Sequence, residues 1–226
     1  MKKPLKIVIV GASGKMGQTL IKQISTDPDL ILTGAIDQAS CETLGMDAGA
    51  LVGIKTGVMI DGDFESIIKT GDYLIDFTRP EASMHYLKIC IKNKVKYILG
   101  TTGFSDEEKE KISQAAKNIS ICFAPNMSVG VNLLVSLVEE ATKILHEDFD
   151  IEIIESHHSE KIDAPSGTAI RLGEAVAKTA NLSLKENGIF HREGNINKRK
   201  KNEIGFSTIR GGDIVGDHTV LFAGNG

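Results

Sequence analysis

The sequence predicts an α/β protein of two domains: a doubly wound parallel sheet, then an α+β domain on an open sheet. Three observations carry this reading. Up to about residue 123, short β-branched runs alternate with helical patterns, as in repeated βαβ units. A glycine-rich turn directly follows the first run. Beyond residue 128 a long amphipathic stretch gives way to strand-like runs with few helices between them, which suits an open mixed or largely antiparallel sheet. A chain of 226 residues can build two cores of ordinary size, and the change of pattern divides it into 1–128 and 129–226.

In chain order, the first half is expected to hold strands at 6–10, 31–36, 73–77, 97–99 and 119–123, with helices at 15–25, 81–92 and 106–117. The last helix has Ser105 as N-cap with Glu108 three residues on, the spacing of a capping box. Crossovers between parallel strands should be right-handed. The second half is expected to open with a helix at 129–145, followed by a strand at 149–156 and a helix at 168–180. Strands follow around Phe190, at 204–210 and at 219–222. The closing Ala223-Gly224-Asn225-Gly226 reads as a turn, so a further C-terminal segment is expected to be missing.

Composition narrows the function classes. With 41% apolar and 25% charged residues the chain is globular rather than disordered or fibrous. A formal charge of −4 spread along the sequence recommends neither nucleic acid nor an anionic membrane as partner. The basic run at 198–201 reads as a solvated loop. Cys41, Cys90 and Cys122 lack metal or redox spacing; the last two sit in apolar runs as small hydrophobes, which favours a reducing compartment. The apolar stretch near the start is too short for a signal peptide and leads into the glycine turn, and no run approaches the ~20 apolar residues of a membrane span. The cytoplasm is the expected location.

The glycine turn is Gly11-Ala12-Ser13-Gly14-Lys15-Met16-Gly17, a G-x-x-G-x-x-G form of the dinucleotide fingerprint between a strand and a helix. Gly11 permits the tight turn, Gly14 lets N–H groups approach a pyrophosphate at the helix N-terminus, and Gly17 lets helix and strand pack closely. The second strand ends at Asp37, at about the 20-residue spacing at which an acidic side chain accepts hydrogen bonds from the adenosine ribose. The first domain is therefore expected to be of the Rossmann type. Three later strands end in polar or glycine-rich segments, at Phe77-Thr78-Arg79-Pro80, at Gly100-Thr101-Thr102-Gly103-Phe104 and at Ala124-Pro125-Asn126-Met127. In a doubly wound sheet these ends face the ligand crevice, here toward the nicotinamide. The carboxylate of Asp37 favours a free ribose 2′-hydroxyl and repels a 2′-phosphate, so NADH is expected to serve at least as well as NADPH.

The densest chemical cluster runs from Glu155 through Ser156-His157-His158 and Lys161 to Ser166-Gly167-Thr168, joining a strand to a helix. Two histidines and a lysine beside a helix N-terminus supply a general acid, positive charge and free N–H groups, which suits an anionic substrate that must be protonated. Hydride delivery to a conjugated imine places negative charge on a neighbouring atom, so a reductase needs such a donor. A metal site is disfavoured: adjacent strand residues point to opposite faces, and no third ligand stands at suitable spacing.

Taken with Asp76-Phe77-Thr78-Arg79-Pro80-Glu81, Asn126-Met127-Ser128-Val129-Gly130-Val131-Asn132 and Arg210-Gly211-Gly212-Asp213-Ile214-Val215-Gly216, these motifs span nearly the whole chain. In that order they resemble the 4-hydroxy-tetrahydrodipicolinate reductase family. The resemblance implies reduction of a hydroxylated cyclic imine dicarboxylate to tetrahydrodipicolinate, with loss of water, using NADH or NADPH in lysine and diaminopimelate biosynthesis. It implies His157 as acid/base residue, Lys161 as proton donor, and His158, Gly167 and Thr168 as substrate contacts. Cofactor contacts would be Gly11, Ala12, Ser13, Gly14, Lys15, Met16, Asp37, Gly100, Thr101, Thr102, Ala124, Pro125, Asn126 and Met127. It also implies a homotetramer assembled through the sheets of the second domain, a substrate-binding and oligomerisation domain. Met127 stands where many relatives carry an aromatic residue.

Overall fold

The computed structural model describes residues 3–124, 126–195 and 197–225. It divides into two compact units, Met1–Pro125 and Asn126–Gly226. The segment before residue 129 goes with the second unit because it caps the following helix. Asn126 Oδ1 accepts the Ser128 N–H at 2.9 Å, the Asn126 carbonyl accepts from Asn132 Nδ2 at 3.2 Å, and the Ser128 hydroxyl accepts the Val131 N–H.

In the first unit six strands form one parallel sheet: β1 (Leu5–Val10), β2 (Leu30–Ile36), β3 (Ile60–Asp61), β4 (Tyr73–Asp76), β5 (Lys96–Leu99) and β6 (Ile121–Phe123). Their spatial order is β3-β2-β1-β4-β5-β6, the order of the dinucleotide-binding fold. The main helices are α1 (Lys15–Thr26), α3 (Pro80–Asn93) and α4 (Asp106–Ala115), with a single turn, α2 (Phe64–Ile67), before β4. Alternate residues of β1 feed two separate cores: Ile7 and Ile9 pack with Ile21, Ile24 and Leu32, while Val8 and Val10 pack with Leu74, Leu87 and Leu99. Both faces of the sheet are therefore covered, which is why β1 reads as a continuous apolar run. The capping box of α4 forms as the spacing predicts: the Ser105 hydroxyl accepts the Glu108 N–H and the Glu108 carboxylate accepts the Ser105 N–H.

Strand β3 has no signature in the sequence because it is two residues long. A side chain organises the segment leading to it. Asp47 accepts N–H groups from Gly49, Thr56 and Gly57 at 2.8, 3.0 and 2.7 Å and the Thr56 hydroxyl at 2.8 Å. These donors, Thr56 foremost, hold its carboxyl well below the usual carboxylate range.

The second unit begins with α5 (Val129–Leu145) and continues through β7 (Asp150–His157), α6 (Gly167–Thr179), α7 (Leu184–Asn187), β8 (Gly188–Ile189), β9 (Ile204–Arg210) and β10 (Asp217–Ala223). Its sheet runs β10-β7-β9-β8. The sheet is mixed, one of the two arrangements expected: β10 and β7 are antiparallel, whereas β7 with β9 and β8 with β9 are parallel. The reason is α6, which lies in the connection between β7 and β9 and lets the chain return in the same direction. Ile151, Ile153, Leu172, Val176, Ile204 and Phe206 form the core under α5 and α6. Cys90 is buried, as expected of a thiol used as a hydrophobe, but Cys122 is exposed because it lies on edge strand β6.

Candidate active site

The chain leaves β1 through Gly11, whose φ of 66° is a left-handed conformation suited to glycine. A Cβ on Gly17 would lie 2.2 Å from the Gly11 carbonyl oxygen and 2.9 Å from the Ala12 Cα, so α1 approaches the turn as only glycine allows. No side chain caps α1, whose N-cap is Gly14, so its first N–H groups remain available to an anion. Ala12 is buried; its N–H donates to the Ile36 carbonyl at 3.0 Å and fixes the turn to β2.

Asp37, at the end of β2, faces this turn. Its Oδ2 accepts the Ser13 N–H at 2.9 Å and the Ser13 hydroxyl at 2.5 Å, and its Oδ1 accepts the Gln38 N–H at 2.9 Å. The turn and Asp37 border a cavity of about 590 Å³, with Gly11, Ser13, Gly14, Lys15 and Met16 in its wall. Cys41 sits behind Asp37, its Sγ 3.3 Å from the Ser13 hydroxyl, whose hydrogen bond draws the thiol below its ordinary value.

The ends of β4 and β5 are joined by a buried carboxylate. Asp76 Oδ1 accepts the Thr78 N–H at 2.7 Å and hydroxyl at 2.6 Å, and Oδ2 accepts the hydroxyls of Ser83 at 2.6 Å and Tyr97 at 2.5 Å. The Thr101 hydroxyl also turns into this network, 3.0 Å from Ser83, whereas Thr102 is exposed. A Cβ on Gly100 would fall 2.0 Å from the Phe77 ring, so the two strand-end loops pack directly on each other. Ala124 continues from β6 with its N–H on the Leu99 carbonyl at 3.1 Å. Met127 is exposed, and Pro125 lies outside the described residues.

In the second unit, β7 delivers Glu155 and His157 to one face because they are two residues apart on a strand. Glu155 is 1% exposed and fully engaged. Arg210, at the end of β9, grips it with two nitrogens, Nη1 to Oε2 and Nη2 to Oε1, each at 2.8 Å. The Ser166 N–H donates to Oε1 at 3.0 Å, and His157 Nδ1 lies 2.6 Å from Oε2. Burial pushes the Glu155 carboxyl up, but Arg210, His157 and Ser166 outweigh it and hold it at about 2. His218, paired in register with Glu155 on β10, stacks edge-on against His157 at 5.1 Å and places Nε2 2.9 Å from the Ser166 hydroxyl. Burial, then the neighbouring His157, push His218 below its ordinary value.

Ser166 caps α6 by accepting the Ala169 N–H at 3.2 Å, and Gly167 and Thr168 form the first turn beyond it. The Thr168 hydroxyl accepts from Asn126 Nδ2 at 3.2 Å. Lys161 follows a turn in which its N–H donates to the His158 carbonyl at 3.2 Å, and its ammonium pairs with Asp163 at 2.6 Å. His158 is half-buried. Of the expected site residues, Gly11 to Met16 and Asp37 thus gather around one turn, and Gly100, Thr101 and Thr102 stand at the end of β5. Gly167 and Thr168 open α6, His157 is linked to that helix start through Glu155 and the Ser166 N–H, and His158 and Lys161 share the turn before it.

Three contributors carry no sequence-based role: Glu155, Asp76 and His218. Glu155 has a usable signal, its i, i+2 relation to His157. His218 has none, since only the pairing of β10 with β7 brings it there.

The family model described as dihydrodipicolinate reductase, N-terminus, matches residues 5–127, and that described as dihydrodipicolinate reductase, C-terminus, matches residues 130–226. The chain is 51% identical over 222 residues to the 4-hydroxy-tetrahydrodipicolinate reductase of Nitrosomonas eutropha, covering 98% of this chain and 83% of that protein. It is 48% identical over 223 residues to that of Neisseria meningitidis serogroup C, covering 99% and 83%. Among solved structures, a dipicolinate-bound dihydrodipicolinate reductase from Paenisporosarcina sp. TG-14 superposes with a TM-score of 0.72 at 25% identity, covering 99% of this chain and 84% of that one. Both halves of the sequence match in order, and the chain belongs to the dihydrodipicolinate reductase family, whose curated members are named 4-hydroxy-tetrahydrodipicolinate reductase.

Proposed function

We infer that this chain reduces 4-hydroxy-tetrahydrodipicolinate to tetrahydrodipicolinate, with loss of water, in lysine and diaminopimelate biosynthesis, at the expense of NADH or NADPH. The observation that carries the reading is the His157 cluster: an imidazole braced by a buried carboxylate, beside Lys161 and the start of α6, in a chain of this family. The first unit is the dinucleotide-binding domain and the second the substrate and oligomerisation domain. The uncapped start of α1, the space kept by Gly11 and Gly17, and the Asp37 carboxylate fit a dinucleotide. Gly11, Ala12, Ser13, Gly14, Lys15 and Met16 would hold its pyrophosphate side and Asp37 its ribose. Gly100, Thr101, Thr102, Ala124, Pro125, Asn126 and Met127 would border the nicotinamide. When bound, the reduced nicotinamide supplies a hydride to the conjugated imine that remains once water has left.

The residues of the second unit handle charge and protons. His157 acts as acid/base, Lys161 donates the proton that quenches the charge next to the site of hydride entry, and His158, Gly167 and Thr168 bind the substrate's carboxylates. The test is NADH oxidation in the presence of enzymatically generated 4-hydroxy-tetrahydrodipicolinate; consumption that needs this substrate supports the assignment, and none refutes it. Asp37 disfavours a 2′-phosphate, so kcat/KM for NADH should equal or exceed that for NADPH, and a clear preference for NADPH would reverse this claim. The open face of the second sheet exposes Ile209 and Leu221, which supports assembly through it into a homotetramer. Sedimentation should give four copies. Among the described residues no helix is long and apolar enough to cross a membrane. The acidic balance, at −4, and the soluble cofactor and substrate fit a cytoplasmic enzyme that binds neither nucleic acid nor membrane.

A further inference from the structure

The bracing of His157 is more specific than a salt bridge requires. Glu155 has two oxygens and four donors around them, divided evenly: Oε1 takes Arg210 Nη2 and the Ser166 N–H, and Oε2 takes Arg210 Nη1 and His157 Nδ1. Every other neighbour is an obligate donor, so the carboxylate stays an acceptor toward the ring as well. On the far side of the imidazole stands Gly216, with φ at 147°; a Cβ there would lie 2.9 Å from His157 Nε2. Glycine keeps that space open. The His157 carbonyl is meanwhile tied to the Gly211 N–H at 3.0 Å, which fixes the backbone beneath the ring.

We propose that Glu155 is a positioning residue that holds His157 as its Nδ1–H tautomer and turns the free Nε2 toward the space beside Gly216, with Arg210 as the counter-ion that keeps the carboxylate in place. The consequence for catalysis rests on the acid/base reading of His157; the claim about the tautomer does not. Glu155→Gln makes the distinction sharp. Either way round, the amide oxygen serves two of the four donors. With the oxygen at the Oε1 position, facing Arg210 Nη2 and the Ser166 N–H, the NH2 meets only one obligate donor, Arg210 Nη1, because His157 can change tautomer. The NH2 then faces His157, whose Nδ1 must become an acceptor, and the ring is driven to the Nε2–H tautomer. The analogous exchange behind the histidine of a serine protease costs about 10⁴ in kcat through the same error.

The experiment uses the whole chain with 15N-labelled histidine, at a pH where the ring is neutral. The unsubstituted chain should show His157 protonated at Nδ1; an Nε2–H spectrum there overturns the proposal without any variant having to fold. In Glu155→Gln the tautomer should switch and kcat should fall by about 10²- to 10⁴-fold, with substrate KM within about threefold and NADH affinity unchanged. Added to His157→Ala, the same substitution should cost nothing further in kcat. An equal fall in both backgrounds would mean that Glu155 acts elsewhere and would overturn the proposal. Normal turnover of His157→Ala by itself removes the acid/base reading, and the spectrum then decides the tautomer claim alone.

Discussion

The turn at 11–17 and the cluster around His157 solve different problems with different materials. The first is made of backbone and of missing side chains: Gly11 for its dihedral angle, Gly17 for its closeness to the Gly11 carbonyl, and an uncapped helix start. The second is made of side chains held by one another: Glu155 from β7, Arg210 from β9, His218 from β10 and Ser166 from the start of α6. A backbone site must be written contiguously in the sequence, because neighbouring residues share one turn. A site built from side chains can be assembled from anywhere the sheet brings together. The contrast predicts that the first will fail by steric intrusion and the second by loss of charge or proton.

The largest effect should come from the proton chemistry. His157→Ala and Lys161→Ala should each lower kcat by about two to four orders of magnitude while NADH affinity stays within about twofold. Circular dichroism serves as the control for the fold, because His157→Ala also removes a donor from the buried Glu155 carboxylate and should lower the melting temperature. Turnover close to that of the parent in a folded variant would take that residue out of the mechanism. Weakened NADH binding in either would mean that the two sites are not separable in the way their construction implies.

Gly17→Val probes the other site. The added Cβ meets backbone on two sides, at 2.2 Å from the Gly11 oxygen and 2.9 Å from Ala12, and backbone cannot swing away as a flexible side chain can. Overpacking of this kind costs about 1–3 kcal/mol, and the turn must open to relieve it. NADH affinity should fall by at least about tenfold, read by titration of nucleotide fluorescence, with the chemistry of any bound fraction little changed. Unaltered affinity would show that the turn has room the distances do not allow.

These two experiments also mark what the sequence reveals. Gly11, Gly14, Gly17 and Asp37 are legible because the strand, the turn and the helix start impose a fixed spacing on them, and the elements appear where periodicity puts them. In the second unit the sequence reveals α5 and β9 to the residue, because each is a long regular run. It does not reveal that β9 returns parallel to β7, since strand direction depends on how α6 packs rather than on any local pattern. Without that pairing, Arg210 cannot be placed on Glu155. His218 is hidden for the same reason, by the antiparallel register of β10. Asp76 is visible only as part of a motif; that it gathers Thr78, Ser83, Tyr97 and Thr101 needs three dimensions.

The charge-built site should also be the more sensitive to acid. Glu155 sits at about 2 in the folded chain against an ordinary 4.5, so its folded pKa is depressed. A depressed acid stabilises the fold above its unfolded value, and that contribution is lost as pH falls from about 4.5 toward 2. Melting temperature should therefore drop through this window, and less steeply in Glu155→Gln. Identical slopes would mean that the carboxylate's partners are equally available to it in the unfolded chain.

Thr168→Val should give the smallest effect and tests whether the start of α6 binds substrate or merely holds itself together. Capping is the work of Ser166, whose hydroxyl accepts the Ala169 N–H, so the Thr168 hydroxyl is not needed to start the helix. It accepts from Asn126 Nδ2 and still carries a proton of its own to donate. Valine keeps the branched shape and removes both capacities. A hydrogen bond of this kind is worth about 0.5–1.5 kcal/mol net, which corresponds to a rise in substrate KM of roughly two- to tenfold. Because the proton donors are elsewhere, kcat should stay within about twofold, and because the cap is intact, so should the melting behaviour remain that of the parent. A lower melting temperature with unchanged KM would assign the hydroxyl to the Asn126 contact alone. The carboxylate would then rest on the N–H groups of Gly167 and Thr168, and the second site would, at its anion-binding end, be built of backbone like the first.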